Sequence, residues 1–259
     1  MNKKILFSPV GGTDPISAAN MSDGSMLHIC RCYRPDVVYL YMSKEILELH
    51  NRDNRYLYCL QKLSEWQNWK FKYRIIERPE MENVQEFDYF YNDFRTIIEK
   101  IKLEADESDT LLLNVSSGTP AMKSGLLVLK TLGEFPCKAI QVTTPVKGMN
   151  EHIHKNYDVE TLWELYRDAG DDFENRCIEV KCPTLSLLKQ EGVIKKLVSE
   201  YSYQAALEVI STIPTEASEQ YSNLISMAAK RLLLDFSGVD QILQKDSRYI
   251  LPIRDSGVR

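Results

Sequence analysis

The chain has 259 residues, of which 44% are apolar and 27% charged, the balance of a soluble globular protein rather than a disordered one. Its formal charge of −5, from 32 Lys+Arg against 37 Asp+Glu, excludes a global basic field of the kind that holds long nucleic acid. Residues 181–259 are net +1, leaving −6 on the first 180, so a polyanion would have to be met locally, by backbone N–H groups and a few side chains.

The apolar run Ile5-Leu6-Phe7-Ser8-Pro9-Val10 reads as a strand ending in the turn cluster Gly11-Gly12-Thr13-Asp14-Pro15. A short helix follows over Asp23–Tyr33, broken at Arg34-Pro35, and then a second strand over Val37–Tyr41. Lys44 to Trp69 is mixed and becomes helical in its second half, where Tyr56, Leu57, Leu60 and Leu63 share a face. Phe71–Ile76 predicts a third strand, Val84–Leu103 a helix with Phe87, Phe90, Phe94, Ile97, Ile98 and Ile101 on one side, and Thr110–Val115 a fourth, fully buried strand. Ser116-Ser117-Gly118-Thr119-Pro120 turns into a helix over Ala121–Leu132, with Thr119 as N-cap and Pro120 at the first helical position. Ala139–Thr143 is a fifth strand. This alternation predicts an α/β fold: a Rossmann-like, doubly wound parallel sheet with right-handed crossovers.

Residues 149–175 are polar and acidic, and Arg176–Val180 can add one more strand. From Thr184 the pattern is purely helical, over Leu185–Val198, Tyr203–Ile210 and Ala217–Phe236, which places a boundary near Cys182-Pro183 and divides the chain into 1–182 and 183–259. The ending Ile253 to Arg259 has no helix-closing signal, so the chain reads as a fragment.

No apolar run reaches the eighteen or so residues of a membrane helix, and Met1-Asn2-Lys3-Lys4 leads straight into the first strand without a signal-peptide core. A cytoplasmic protein with no membrane partner is expected. The six cysteines (30, 32, 59, 137, 177 and 182) lack zinc-finger or redox spacing, and His152-x-His154 has no completing ligands, so reduced thiols and no metal are expected. Neither a Walker sequence nor G-x-G-x-x-G is present.

In a doubly wound sheet, ligands collect beyond the carboxyl ends of the strands where strand order reverses. If the first and fourth strands are neighbours there, the loops Ser8–Pro15 and Asn114–Lys123 meet. The helix start at Thr119 offers free N–H groups to an anion, and Ser116, Ser117 and Thr119 offer hydroxyls to phosphate or ribose. The same segment is also a good helix start in its own right. Asp14 reads as a capping carboxylate or a functional one, Lys123 as a surface lysine or a phosphate partner, and His28 as a packing residue.

Together, Ile5 to Pro15 and Asn114-Val115-Ser116-Ser117-Gly118-Thr119-Pro120-Ala121-Met122 resemble the CARF domain, the CRISPR-associated Rossmann fold, of the CARF–HEPN accessory ribonucleases of type III-A CRISPR systems. The resemblance covers about residues 1–180 as CARF, with the tail resembling the opening of a HEPN domain. It implies a homodimer whose paired loops bind a cyclic oligoadenylate, the hexa-adenylate first and the tetra-adenylate second, with no cofactor. The ligand would be held by Gly11, Gly12, Thr13, Asp14, Asn114, Ser116, Ser117, Gly118, Thr119 and Lys123. In the family, binding switches on metal-independent cleavage of single-stranded RNA by HEPN. Some members also slowly cleave the activator, a ring-nuclease role that falls here to Asn114, Ser116, Ser117 and Thr119. Two departures stand out. Pro120 occupies the place of a frequent lysine, and no histidine follows residue 154, so residues 183–259 lack the Arg-x4–6-His motif of HEPN nucleases. The chain then ends before that motif or is a degenerate, sensing-only member. The other function classes are a CARF–helix-turn-helix transcriptional regulator, disfavoured by the sparse basic residues of the tail, and a stand-alone ring nuclease.

Overall fold

A computed structural model of the protein describes residues 2–133, 135–145, 157–170, 173–213 and 215–245. Two compact units, Met1–Val180 and Lys181–Arg259, divide the chain.

The first unit opens with β1 (Lys4–Pro9), a small hairpin of β2 (Ile16–Ser17) and β3 (Ser22–Asp23), and α1 (Ser25–Tyr33). It continues through β4 (Val37–Ser43), α2 (Lys44–Asp53), α3 (Arg55–Trp66), β5 (Lys72–Arg78), α4 (Phe87–Glu104), β6 (Thr110–Asn114), α5 (Pro120–Leu132) and β7 (Lys138–Val142). It closes with α6 (Val159–Leu165), a 3-10 turn at Arg167–Ala169, and β8 (Cys177–Val180). The strands form one sheet in the order β5-β4-β1-β6-β7-β8. Strand order reverses between β1 and β6, which pair in parallel with Ile5 opposite Leu111 and Phe7 opposite Leu113.

The period-2 alternation of a strand puts successive residues on opposite faces, and here both faces are covered. Leu6, Val38, Leu40, Leu112 and Ile140 pack under α1, α2 and α3 with Met26, Ile29, Leu47, Tyr56 and Leu60. Ile5, Phe7, Tyr41, Leu111 and Leu113 pack on α4 and α5 with Phe90, Phe94, Ile98, Leu126 and Leu129. This is the predicted doubly wound α/β arrangement. One feature differs: β8 pairs with β7 antiparallel, Val142 opposite Cys177, so the sheet is parallel in five strands and antiparallel at that edge.

Three other elements depart from the sequence reading. Lys44–Asp53 is helical, not merely mixed, because Ile46, Leu47 and Leu49 find the core, and Asn54 in the left-handed region (φ 51) separates it from α3. The polar stretch after β7 contains α6, capped by Asp158, whose carboxylate accepts from the amides of Glu160 and Thr161 at 3.2 Å each. The hairpin of β2 and β3 is too short for a periodic signal.

The second unit contains α7 (Pro183–Ser199), α8 (Tyr203–Ser211), α9 (Thr215–Leu232) and α10 (Phe236–Lys245) around a small core of Ile194, Ala206, Ile210, Ile213 and Ile225. The helix predicted over Ala217–Phe236 stops short because Leu234 takes φ 59 and Asp235 caps a new helix, accepting from the Gly238 amide at 2.9 Å. His152, His154 and the 253–259 ending lie outside the described residues.

Candidate ligand site

Beyond the carboxyl ends of β1, β6 and β7 lies a hollow of about 340 Å³. Gly11, Gly12 and Thr13 bring it the loop after β1; Val115, Ser116, Ser117 and Gly118 the loop after β6; Lys123 the first turns of α5. The hairpin adds Ser17, Asn20 and Asp23, the start of α1 adds Gly24 and Ser25, the end of β7 adds Gln141 to Pro145, and Arg176 stands just before β8.

The two glycine-containing loops touch through their backbones. A Cβ on Gly11 would lie 2.9 Å from the Gly118 nitrogen and 3.1 Å from the Ser117 hydroxyl, so only glycine fits. Gly118 has φ 83, the left-handed conformation that costs an L-residue a clash. It releases the chain into α5, where the Thr119 hydroxyl accepts from the Met122 amide at 3.3 Å and Pro120 takes the first helical position, as the sequence predicts.

Asp14 fastens this corner. Its carboxylate accepts from the Gly11 amide at 3.1 Å, from the Met26 amide in the first turn of α1 at 3.0 Å, and from the Ser117 hydroxyl. Burial pushes its carboxyl above the ordinary value, and the Ser117, Met26 and Gly11 hydrogen bonds, together with the charge of Lys123, only partly offset that. Asn114 plays the matching part on β6. Its Nδ2 donates to Ser8 Oγ at 2.9 Å and Ser25 Oγ at 3.3 Å, and its Oδ1 accepts from the Ser116 amide at 2.9 Å.

Of the ten residues singled out from the sequence, Gly11, Gly12, Thr13, Ser116, Ser117, Gly118 and Lys123 border the hollow. Asp14, Asn114 and Thr119 do not line it, because their polar atoms are spent on the loops and helix starts that shape it. The Ser116 hydroxyl also ties loops together, accepting from the Val142 amide at 2.7 Å. Sequence reasoning missed Ser17, Asn20, Asp23, Thr143, Thr144 and Arg176. Thr143-Thr144-Pro145 was findable, since it ends a parallel strand at the same edge of the sheet. Nothing local marks Arg176, which reaches the site only because β8 turns back antiparallel.

Below the hollow sits a buried polar cluster. Arg31 donates to Asp23 through Nε at 2.6 Å and Nη2 at 3.1 Å, and Nη2 also reaches the Tyr166 hydroxyl at 2.5 Å. Arg176 Nη2 reaches Asp168 at 3.1 Å, and the Arg176 amide donates to His28 Nε2 at 3.0 Å. That last bond makes Nε2 an acceptor, which fixes the ring as the Nδ1–H tautomer facing Asp23 at 3.3 Å. The ligand atoms of Asp23, His28 and Asp168 lie within 4.8 Å of one another, as do those of His28, Cys32 and Cys177. Both ring nitrogens of His28 are engaged and both carboxylates are matched by arginines, so neither group is arranged to take a metal ion.

Comparison with known proteins gives this arrangement its relatives. Residues 72–177 match the model of the Csm6 CARF domain, and residues 180–232 match that of the CRISPR-associated protein Csm6 6H domain. The first match includes the loop after β6 but not the loop after β1. The second covers the stretch that the resemblance reads as the opening of HEPN. The CRISPR system endoribonuclease Csm6 of Mycobacterium tuberculosis is 36% identical over 236 residues, which is 89% of this chain and 54% of that protein. The Csm6' endoribonuclease of Streptococcus thermophilus is 30% identical over 214 residues, 81% of this chain and 53% of its own. Among solved structures, Enterococcus italicus Csm6 bound to cyclic hexa-2'-fluoro-hexa-dAMP superposes with a TM-score of 0.67 at 26% identity, over 92% of this chain and 56% of that one. The chain thus spans about half the length of the relatives it matches.

Proposed function

Because this chain belongs to the Csm6 family of CRISPR-associated proteins, we propose that the hollow at the β1–β6 switch point is its half of a receptor for a cyclic oligoadenylate, completed by a second copy of the chain. The observation that carries the reading is the hollow itself. Two loops distant in sequence meet backbone to backbone at the point where strand order reverses, in a chain that shares its fold with a Csm6 bound to a cyclic hexanucleotide.

The chemistry fits a compact ring of phosphates. Small residues let the ligand approach the backbone, the positive ends of the α1 and α5 dipoles lie at the hollow, and Lys123 and Arg176 are the cations of its lining. Asp23, which also borders the hollow, is neutralised from behind by Arg31. A ring with two-fold symmetry suits two copies of such a site, so one ring binds per two chains. Cyclic hexa-adenylate is the first candidate and cyclic tetra-adenylate the second. Binding then licenses a HEPN endoribonuclease to cut single-stranded RNA in antiviral defence, with the helical unit leading toward it. Isothermal calorimetry with each ring tests the reading. Heat with a stoichiometry of one ring per two chains is expected; the absence of heat with both overturns it.

Slow cleavage of the bound ring is a second reading, favoured by Ser116. Its hydroxyl accepts from the Val142 amide, and its own proton has only a 3.5 Å contact with the Val142 carbonyl, leaving it for a phosphate oxygen. Asn114, Ser117 and Thr119 would hold the loop in register rather than touch the reacting atoms. Linear products from a cyclic substrate, lost in Ser116→Ala, are the expected signature; an intact ring after prolonged incubation removes this reading.

A further inference from the structure

Buried polar atoms are almost always hydrogen-bonded, so an unpaired one in a residue that borders a hollow asks what completes it. Among the described residues, six buried side-chain atoms lack a partner, and two of them belong to residues that border the hollow: Ser17 Oγ and Arg176 Nε. Ser17 is only 5% exposed and Arg176 only 6%. Both lie outside the two glycine-containing loops, Ser17 in β2 and Arg176 just before the edge strand β8.

Arg176 is held rigidly. Its Nη1 donates to the Thr143 carbonyl at 2.9 Å, and its Nη2 to the Asp23 carbonyl at 3.1 Å and the Asp168 carboxylate at 3.1 Å. The guanidinium is therefore oriented by one side of the protein while its Nε–H has no acceptor. A fixed guanidinium with a spare donor beside a polar hollow is built for an oxyanion, because it pays no ordering cost when the oxygen arrives. Ser17 is held by the hairpin backbone, and its hydroxyl has a donor and an acceptor to offer.

We infer that Ser17 and Arg176 contact the ligand directly, Arg176 donating Nε–H to a phosphate oxygen and Ser17 bonding a ribose or phosphate oxygen of the same nucleotide ring. This rests on the proposed cyclic oligoadenylate site and extends it to a third wall made by the hairpin and β8.

The test is calorimetry and thermal denaturation of the 259-residue chain with cyclic hexa-adenylate, comparing Ser17→Ala and Arg176→Lys with the parent. Ser17→Ala deletes an unpaired hydroxyl, so the free protein melts at the same temperature or higher, while affinity falls about five- to tenfold. That pairing of signs is one a purely structural serine would not produce. Arg176→Lys keeps the charge but loses the oriented Nε–H, and affinity falls about tenfold or more. If the parent binds and both variants bind equally well, the inference fails while the proposed site stands. A lower melting temperature of free Ser17→Ala shows that its hydroxyl has a structural partner and removes Ser17 from the ligand set. If the parent binds neither hexa- nor tetra-adenylate, the site itself is refuted, and this assignment with it.

Discussion

The Ser117 hydroxyl donates to the Asp14 carboxylate across 103 residues of chain, fastening the loop after β6 to the loop after β1. The same carboxylate holds the Gly11 and Met26 amides, so one buried group sets the loops and the start of α1 relative to each other. Asp14→Ala leaves the Gly11 and Met26 amides and the Ser117 hydroxyl without their carboxylate acceptor. A loss of about 2–4 kcal/mol in urea unfolding is expected, with ring binding lost alongside it.

Asp14 also makes stability depend on pH. Burial raises its folded-state pKa above the ordinary value of an unfolded aspartate, so between those two values the folded chain holds more protons than the unfolded one. The contribution is fully present below the unfolded pKa and is lost as pH rises through the folded one. Asp14→Asn lacks this titration. The stability advantage of the parent over Asp14→Asn therefore shrinks as pH climbs from about 4 through the folded pKa, read from denaturant midpoints at a series of pH values. An advantage that grows over that range contradicts the burial of this carboxylate.

Gly11→Ala tests the contact between the loops without touching charge. The new methyl would sit 2.9 Å from the Gly118 nitrogen, which is backbone and cannot swing aside, so the loops must separate. A destabilisation of about 1–3 kcal/mol is expected, with ring affinity reduced more than tenfold. Unchanged affinity would mean that the ligand does not depend on the spacing of these loops.

How far the sequence discloses this site follows from which interactions are local. The sheet was legible because Leu111-Leu112-Leu113 and Ile5-Leu6-Phe7 are short apolar runs between turn residues, and the capped start of α5 was legible because Thr119 and Pro120 act within one helical turn. The loops that meet were legible through the rule that ligands gather where strand order reverses. Roles within them were not. Asp14, Asn114 and Ser117 look like ligand groups in sequence, yet their polar atoms bond to one another's loops, with Asn114 reaching Ser8 across 106 residues and Ser117 reaching Asp14 across 103. Arg176 is the converse case: nothing in Asn175-Arg176-Cys177 signals a site, and only the antiparallel return of β8 beside β7 brings it there.

Cys32 is the thiol expected to react. It lies half-buried at the end of α1, and hydrogen bonding from the Cys177 thiol lowers its pKa despite burial. Cys177 is correspondingly pushed far up, and Cys30 and Cys59 are raised by burial and shielded. A lowered pKa gives Cys32 a larger thiolate fraction near neutral pH than an ordinary cysteine has. Iodoacetamide at that pH labels Cys32 first, and Cys177→Ala slows the labelling about tenfold by removing the donor. Peptide mapping that finds Cys137 or Cys182 modified ahead of Cys32 counts against this.

The pair of Arg31 and Asp23 beneath the hollow is fully buried, with Nε–Oδ2 at 2.6 Å and both side chains at 0% exposure. Such pairs gain little net energy when intact, because desolvation offsets attraction, but leave a costly unpaired charge when one member is removed. Arg31→Met strands the Asp23 carboxylate with His28 as its remaining hydrogen-bond partner and Asp168 close by, and a destabilisation of about 3–5 kcal/mol is expected. Adding Asp23→Asn to Arg31→Met removes the stranded charge, so the double variant regains stability over Arg31→Met alone. Guanidinium unfolding of the four chains reads the coupling energy, and strictly additive losses would show that the two charges do not depend on each other. Because Asp23 borders the hollow, the same cycle separates the two sources of weakened ring binding. A variant that folds with Asp23 charged but unpaired places a bare carboxylate beside the ligand phosphates, and it binds the ring more weakly than the neutral double variant.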